Sequence, residues 1–564
     1  MHHAREPFVV LHPRMNELRP ITLSLLSGIL LGVSYAFVDW GSGVLMLVAY
    51  VPLLLLFAQD SPELGWKRRT WYAYLSLVLF HGLTNWWIAS WQEQTDPYLF
   101  ATGIALLVVH PLLLLPPFIA LASIRKRLGV QWMFASFPFV LTAFEWLHGQ
   151  TDFSYPWLSS GYALINLSFA QVADVVGVYG LTFLLAVSNC IIAALAFLPS
   201  FRVKRWRRII LAVHVLLLSA WGAIGYIHQK SVEALTEPAG ADSARSVMLV
   251  QPNENPWDKW TDSRVQLAIH LSLTDSAIAK HGIPDAVIWS ETALPYVIRD
   301  PRHSLEWSGL RSWIDKTGTS LMTGVADRVI YDRSQAPASA RTSSADPDLK
   351  YDVFNAAYML NPSVSDVQVH RKSMLTPFAE RLPFADQLTF AMSWIEWGVG
   401  ISSWGKGLSR VPIHAVRNAD TLLSIGSIIC IESIYPEVSR DLVLNGANAL
   451  CVITNDAWYN GTAGPRQHYN IARMRAIETR KPVLRCANSG VSGLISPTGE
   501  SVQEIPTEQS GVAVVKVVPN DVITPFVRYG NVIPIASAVF VVFLLLGARI
   551  PAFQRILSFR STSS

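Results

Sequence analysis

Charge is scarce in this chain. Of its 564 residues only 15% are Asp, Glu, Lys or Arg, while 51% are hydrophobic. That is too apolar for an ordinary soluble enzyme, and the chain is too long for a single domain. Cysteine is scarcer still: the four, at 190, 430, 451 and 486, form no CxxC or zinc-like spacing. Cys190 lies in an apolar run, and the other three lie in strand-like runs and read as free thiols. No G-x-S-x-G elbow, H-E-x-x-H pair, P-loop or G-x-G-x-x-G turn occurs, so the common serine-hydrolase, zinc-protease and nucleotide-binding signatures are absent. There is no basic patch interleaved with aromatics to argue for nucleic acid, and no internal repeat.

What the chain has in abundance is long apolar runs, concentrated before residue 230 and after 530. Eight candidate spans emerge, at 21–38, 44–58, 71–91, 98–122, 130–147, 172–198, 209–227 and 532–546. Most approach the roughly 20 residues that a bilayer core requires, the second and last being short. Lys and Arg alternate across the intervening loops. "ELGWKRRT" and "SIRKRLG" carry three each and "SFRVKRWRR" five, whereas "VDWGSG", "QEQTDP" and the loop 148–171 carry none. By the positive-inside rule both termini are cytoplasmic and the large polar region faces the other side. The net charge of +4 is therefore read as a topology signal. The first 20 residues have no adequate apolar core before a cleavage site, so the first span is expected to direct insertion. The expected division is 1–228, seven transmembrane helices; 229–530, an extracytoplasmic domain; and 531–564, the last transmembrane helix with a cytoplasmic tail.

From Ser246 the period changes. Short β-rich runs ("SVMLVQPN", "DAVIWSET", "SLMTGVAD", "NAAYMLN", "LLSIGSIICIES", "ALCVITNDAW", "PVLRCANSG", "GVAVVKVVP") alternate with helical stretches such as "RVQLAIHLSLTDSAIAKHG" and "RQHYNIARMRAIETRK". This is the pattern of a layered α/β domain. Three strand-end motifs carry unusual chemistry: "AVIWSETALP" offers Glu291, "VHRKSMLTPFAERLPF" offers Lys372 and Glu380, and "SIICIESIYP" offers Cys430 and Glu432. Each residue alone is ordinary. Together they supply a base, a cation and a thiol, and a thiol near pKa 8.5 requires a base or cation to act as a nucleophile. A lysine beside a tetrahedral intermediate would hold its oxyanion, so the set suits acyl transfer.

These residues, in this order, resemble the Glu-Lys-Cys triad of the nitrilase superfamily. With apolar spans on both sides, the chain resembles the apolipoprotein N-acyltransferases, the membrane-embedded branch of that superfamily. The most specific stretches are "LVQPNENPWDKW", "WSETALP", "KSMLTPFAERLPF", "ICIESIYPE" and the long run from "TNDAWYNGTAGPRQH" to "SPTGE"; "EWLHG" and "YPWLSSGY" match in the apolar half. The resemblance implies eight transmembrane helices plus an extracytoplasmic α/β domain, a nitrilase-like α-β-β-α sandwich. It implies that Glu291 is the general base, Cys430 the nucleophile and Lys372 the oxyanion holder, with backbone N–H groups near Cys430. It further implies that Glu380 orients the lysine, that Glu432 supports the nucleophile, and that Trp260 and Asn355 line the substrate pocket. The implied donor is a phospholipid, typically phosphatidylethanolamine, and the implied acceptor a diacylated apolipoprotein. No metal or cofactor is required, a monomer would suffice, and the location is the bacterial inner membrane with the catalytic domain periplasmic.

The chain departs from the family pattern at Ile431, where Tyr commonly follows the nucleophile. It departs also at His370 and Met374 around the lysine, and at Ala379 for Gly. These touch substrate contacts and leave the triad intact. A membrane-anchored nitrilase-type amidase is the alternative, since hydrolase and transferase share a thioester; eight spans argue against it. A membrane platform for another enzyme is a third reading. A transporter built on His81, His110, Glu145, His148 and Asp174 is a fourth. Glu145 and His148 fall near the expected outer end, where support of the domain or of the lipid entrance fits better than a pore.

Overall fold

The computed structural model describes residues 19–91, 97–198, 201, 203–236, 244–260, 263–332, 334–343, 346, 348–387 and 404–557. All eight apolar runs contain helix, but few of the helices are long and straight. Among the described residues, Phe100–Leu128, Ser168–Phe197 and Lys204–Ala234 are long and apolar enough to cross a membrane, and the pair Val532–Gly547 and Pro551–Leu557, bent by 114°, makes up to four. The others are short or interrupted for identifiable reasons. Pro52 opens Val51–Ala58 after a 3-10 turn at Ser42–Leu47. Prolines likewise start His110–Leu113 and Pro116–Leu128. A proline cannot donate its backbone N–H, which favours the first turn of a helix and disfavours its interior. Ser27 donates to the Ala49 carbonyl and Asn189 to the Met46 carbonyl, so buried polar groups bind these helices together across the apolar core.

Among the described residues the α/β region contains thirteen strands: β1 (Arg245–Gln251), β2 (Ala286–Trp289), β3 (Ser320–Tyr331), β4 (Arg341–Thr342), β5 (Lys350–Leu360), β6 (Gln368–Arg371), β7 (Ile413–Arg417), β8 (Asp420–Ile429), β9 (Ala449–Thr454), β10 (Val483–Ala487), β11 (Ser492–Ile495), β12 (Ser501–Ile505) and β13 (Gly511–Val517). They form two sheets. One runs β13-β1-β2-β3-β5-β4 with β6 paired to β5, and the other runs β12-β11-β10-β9-β8-β7. Each sheet has a parallel centre, β1-β2-β3 and β8-β9-β10 respectively.

Strand alternation then builds the layers. Val247 and Leu249 of β1 join Ile425, Ile429, Cys451 and Cys486 in the core between the sheets. The intervening Met248 and Val250 face outwards, into the cluster that includes Leu267 of helix Ser263–His281 and Leu310 of helix Ser304–Thr317. On the far sheet, Leu450 and Val452 face helices Pro436–Leu444 and Gly464–Thr479. Because successive side chains point to opposite faces, strands buried on both sides read as continuous apolar runs. The result is the α-β-β-α sandwich that the resemblance implied. Its lower helical layer shares one continuous apolar cluster with the membrane-type helices, so the domain is seated on them.

Candidate active site

The sandwich brings its chemistry to the ends of its central strands, where α/β sheets bind ligands. Glu291 follows β2, Cys430 follows β8, and Asn455 and Asp456 follow β9. Lys372 follows β6. The turn carrying Glu291 packs against β3 at Gly324, where a β-carbon would lie 2.5 Å from the Ser290 carbonyl oxygen and 2.7 Å from the Glu291 α-carbon. Only glycine allows that approach. Cys430 begins a 3-10 turn, Cys430–Ile434, with φ at 52°, a left-handed conformation rare for a residue with a side chain.

Glu291, Asn355, Lys372, Glu380 and Cys430 all line one cavity of about 730 Å³. The Lys372 ammonium donates to Glu380 Oε1 at 2.8 Å and to Glu291 Oε1 at 3.4 Å. Asn355 Nδ2 donates to the same two oxygens, at 3.2 and 2.7 Å. Glu291 Oε2 accepts the backbone N–H of Asn455 at 2.8 Å. Glu380 Oε2 accepts the backbone N–H and the hydroxyl of Thr376 at 2.8 and 2.9 Å. Burial pulls the Lys372 ammonium down, but the Glu380 and Glu291 carboxylates outweigh it and hold the lysine well above its usual range, so it stays charged. Burial, with the Glu291 charge added to it, pushes the Cys430 thiol up. The thiol therefore rests protonated. Forming a thiolate in that buried setting requires the proton to move onto a neighbouring acceptor.

Glu432 does not reach the cavity. Its Oε1 accepts the backbone N–H and hydroxyl of Ser373 at 2.6 and 2.7 Å, and its Oε2 accepts the N–H of Ile429 at 2.8 Å. His370 Nε2 lies 3.4 Å from Oε2. Burial opposes the charge, but His370 and these donors hold the carboxyl down at about 2. Ser373 adjoins Lys372 and Ile429 adjoins Cys430, so one buried carboxylate ties the lysine segment of the first sheet to the Cys430 turn of the second. His370 and Met374 both belong to this tie, since the Met374 N–H also points to Oε1 at 3.3 Å. Ile431 lines the cavity beside Cys430. The side chain of Trp260 lies outside the described residues. Among those residues, no group of three or more His, Cys, Asp or Glu side chains is set to hold a metal.

Two comparisons bear on identity. A model of the carbon-nitrogen hydrolase family matches residues 246–524, and a model of the apolipoprotein N-acyltransferase N-terminal domain matches 27–191. An apolipoprotein N-acyltransferase of Chlorobaculum tepidum is 32% identical over 531 residues, covering 92% of this chain and 94% of its own. The chain belongs to the apolipoprotein N-acyltransferase family. A second apolipoprotein N-acyltransferase, from Geobacter metallireducens, is 28% identical and covers 91% of this chain and 92% of its own. Among solved structures, Saccharomyces cerevisiae Nit3, a member of the nitrilase superfamily, covers 51% of this chain and 95% of its own at 17% identity, with a TM-score of 0.35.

Within this acyltransferase the motifs of the apolar half acquire a place. In "YPWLSSGY", the Tyr162 hydroxyl donates to the Ile434 carbonyl at 2.9 Å, and Ser154 just before the motif bonds Tyr435 at 2.8 Å. In "EWLHG", Glu145 accepts from the Ser160 and Thr182 hydroxyls, each at 2.7 Å, and fixes that loop. Both motifs thus brace the end of the Cys430 turn. The sequence did not reveal Asn455, which binds Glu291 through a backbone N–H that any residue supplies, or Thr376 and Ser373, which bind carboxylates through both backbone N–H and hydroxyl. Nor did it reveal Lys259, which is buried and donates to the Glu291 carbonyl at 3.3 Å. Burial lowers that ammonium to about 8, against the opposing pull of Glu291 and Glu254.

Proposed function

We propose that this chain transfers the sn-1 acyl chain of a phospholipid, typically phosphatidylethanolamine, through a thioester on Cys430. The acceptor is the α-amino group of the diacylglyceryl-cysteine at a lipoprotein N-terminus. The observation that carries this reading is the meeting of Glu291, Lys372 and Cys430 in one cavity. Its remaining lining is largely apolar and extends to Leu106, Val109 and Leu113 of the membrane-type helices. An apolar chamber continuous with such helices suits a lipid acyl chain and excludes the water that would hydrolyse a thioester.

Glu291 takes the thiol proton as Cys430 Sγ attacks the ester carbonyl carbon. The oxyanion forms beside Lys372, whose charge is fixed by Glu380. As the carbon–oxygen bond breaks, Glu291 returns its proton to the departing sn-1 oxygen, leaving a lysophospholipid and an acylated Cys430. The neutral α-amine then attacks the thioester and gives a proton to Glu291. The carbon–sulfur bond breaks, the proton passes to the sulfur, and the amide departs. Asn355 bridges Glu291 and Glu380 and keeps the base aimed, while Trp260 is assigned to the substrate pocket. No cofactor enters either step.

In the same reading the chain crosses the membrane eight times, with both termini cytoplasmic. Residues 229–530 form the periplasmic catalytic domain, flanked by 1–228 and 531–564, and the enzyme works as a monomer. The Lys and Arg alternation supports that topology. The test is direct. Phosphatidylethanolamine labelled in its sn-1 chain should label the purified protein in a hydroxylamine-sensitive bond, and the Cys430→Ala variant should stay unlabelled. A diacylated lipopeptide should discharge the label as triacylated product. Discharge at the same rate without lipopeptide would favour the amidase reading, and no label on folded parent protein would end the assignment.

A further inference from the structure

The helix Gly464–Thr479 starts with "GPRQH", a motif given no chemistry above, and its His468 reaches the nucleophile from behind. His468 is buried, lines the cavity, and sets its Nε2 3.1 Å from the carbonyl oxygen of Cys430 and 2.8 Å from the Ser433 hydroxyl. Its other nitrogen, Nδ1, lies 2.9 Å from Asp456 Oδ1. That carboxylate is locked in turn: Oδ1 accepts the Thr454 hydroxyl at 2.8 Å, and Oδ2 accepts the wholly buried Arg485 at 2.6 Å. We propose that His468 is a positioning residue for the nucleophile: donating through Nε2 to the Cys430 carbonyl, it holds Cys430 in the left-handed turn that presents its thiol to the cavity.

The backbone explains why such a holder is needed. Cys430 occupies φ 52° without being glycine, a conformation that persists only where the surroundings enforce it. Glu432 fixes the residue before, through the Ile429 N–H, and Tyr162 fixes the turn after, through the Ile434 carbonyl. His468 acts at Cys430 itself. The Asp456 carboxylate at Nδ1 fixes the orientation of the ring and leaves Nε2 aimed at the Cys430 carbonyl. Arg485 and Thr454 keep the carboxylate from turning away. The wiring is that of an oriented donor, aimed at the nucleophile's backbone.

The neighbouring residue ties this device to the membrane-type helices. Gln467 Oε1 accepts the indole N–H of Trp157 at 2.9 Å and of Trp87 at 3.2 Å, and its amide donates to the Thr84 carbonyl at 2.9 Å. The Trp157 ring also lies against His468, with centroids 5.4 Å apart. The apolar half therefore seats the same helix turn that holds Cys430. The sandwich alone does not complete the nucleophile's support.

The inference rests on Cys430 being the nucleophile, and its test separates the two claims. His468→Leu, His468→Asn and His468→Gln are prepared as full-length protein in detergent. Two rates are read: alkylation of Cys430 by iodoacetamide, and single-turnover acylation by labelled phosphatidylethanolamine. His468→Leu should slow both by about 10–100-fold, the effect of leaving one buried acceptor unmet at the reacting residue, with the phospholipid KM changed by less than about twofold. His468→Gln, whose amide reaches the Nε2 position, should recover to within about fivefold of the parent. His468→Asn, which reaches only toward Asp456, should remain slow, and it carries the comparison with His468→Gln if His468→Leu does not fold. Parent-like rates in folded His468→Leu or His468→Asn, or a glutamine variant as slow as asparagine, would overturn the proposal. Should the parent be alkylated at Cys430 but never acylated, the proposed function fails, and the alkylation rates still decide the role of His468.

Discussion

Substituting glutamine for Glu432 preserves the size of the side chain and removes its charge. In the folded protein Oε1 accepts from the Ser373 N–H and hydroxyl, and Oε2 accepts from the Ile429 N–H. An amide has one accepting oxygen, so whichever way it turns, its NH₂ faces a buried backbone N–H. Leaving a buried donor unmet costs about 1–3 kcal/mol, and hydrogen bonds to a charged acceptor lie at the upper end. Proton linkage gives an independent figure. The carboxyl is held at about 2, from a reference value of 4.5, and a shift of that size corresponds to about 3 kcal/mol. The two routes agree. The sign follows from the depressed value: the contribution is complete above the ordinary carboxylate range and disappears as the pH falls toward about 2. Parent and Glu432→Gln should therefore differ by about 3 kcal/mol near neutral pH and converge in acid. Chemical denaturation in detergent, followed by tryptophan fluorescence at a series of pH values, reads the difference. Because the same carboxylate joins the segments of Lys372 and Cys430, acylation should slow in parallel. Equal denaturation midpoints near neutral pH, or a difference that does not shrink in acid, would refute the reasoning.

Three further substitutions follow from the same geometry. Glu291→Gln keeps an oxygen for Asn355 and removes the base, so Cys430 acylation should fall by about 10²–10⁴-fold, read as thioester label per unit time. Glu380→Gln takes from Lys372 its 2.8 Å carboxylate and leaves only Glu291 at 3.4 Å. Binding Glu291 more tightly to the lysine makes it a poorer base, so single-turnover acylation should slow by about 10–100-fold, with a loss of stability of about 3 kcal/mol seen by denaturation. Ala105→Trp fills part of the cavity between Thr102 and Val109. It should shift the acyl groups found on the product toward shorter chains, measured by mass spectrometry from a mixed-chain donor pool.

The strand runs read from the sequence correspond to β1, β2, β3, β5, β8, β9, β10 and β13, each of which carries a buried apolar stretch. The short strands β6, β7, β11 and β12 escaped notice: β6, β7 and β12 are edge strands with β12 mostly exposed, and β11 has only four residues. The apolar runs were legible as helix in all eight places. The sequence did not show that several of these helices are broken or short, because a proline's effect depends on where the turn around it can find other partners.

Chain order and residue chemistry alone therefore determined the layered α/β class, the apolar flanks and the set Glu291, Lys372 and Cys430, because strand period, apolar length and side-chain type are local properties. Pairing decided the rest. Only the tertiary structure placed Asn355 between two carboxylates and turned Glu432 from a sequence neighbour of Cys430 into the tie between sheets. His468, 38 residues beyond Cys430, comes to hold its carbonyl only once helix Gly464–Thr479 is seated against Trp87 and Trp157. Such contacts form between backbone atoms and distant side chains, and a backbone carbonyl leaves no mark in a sequence.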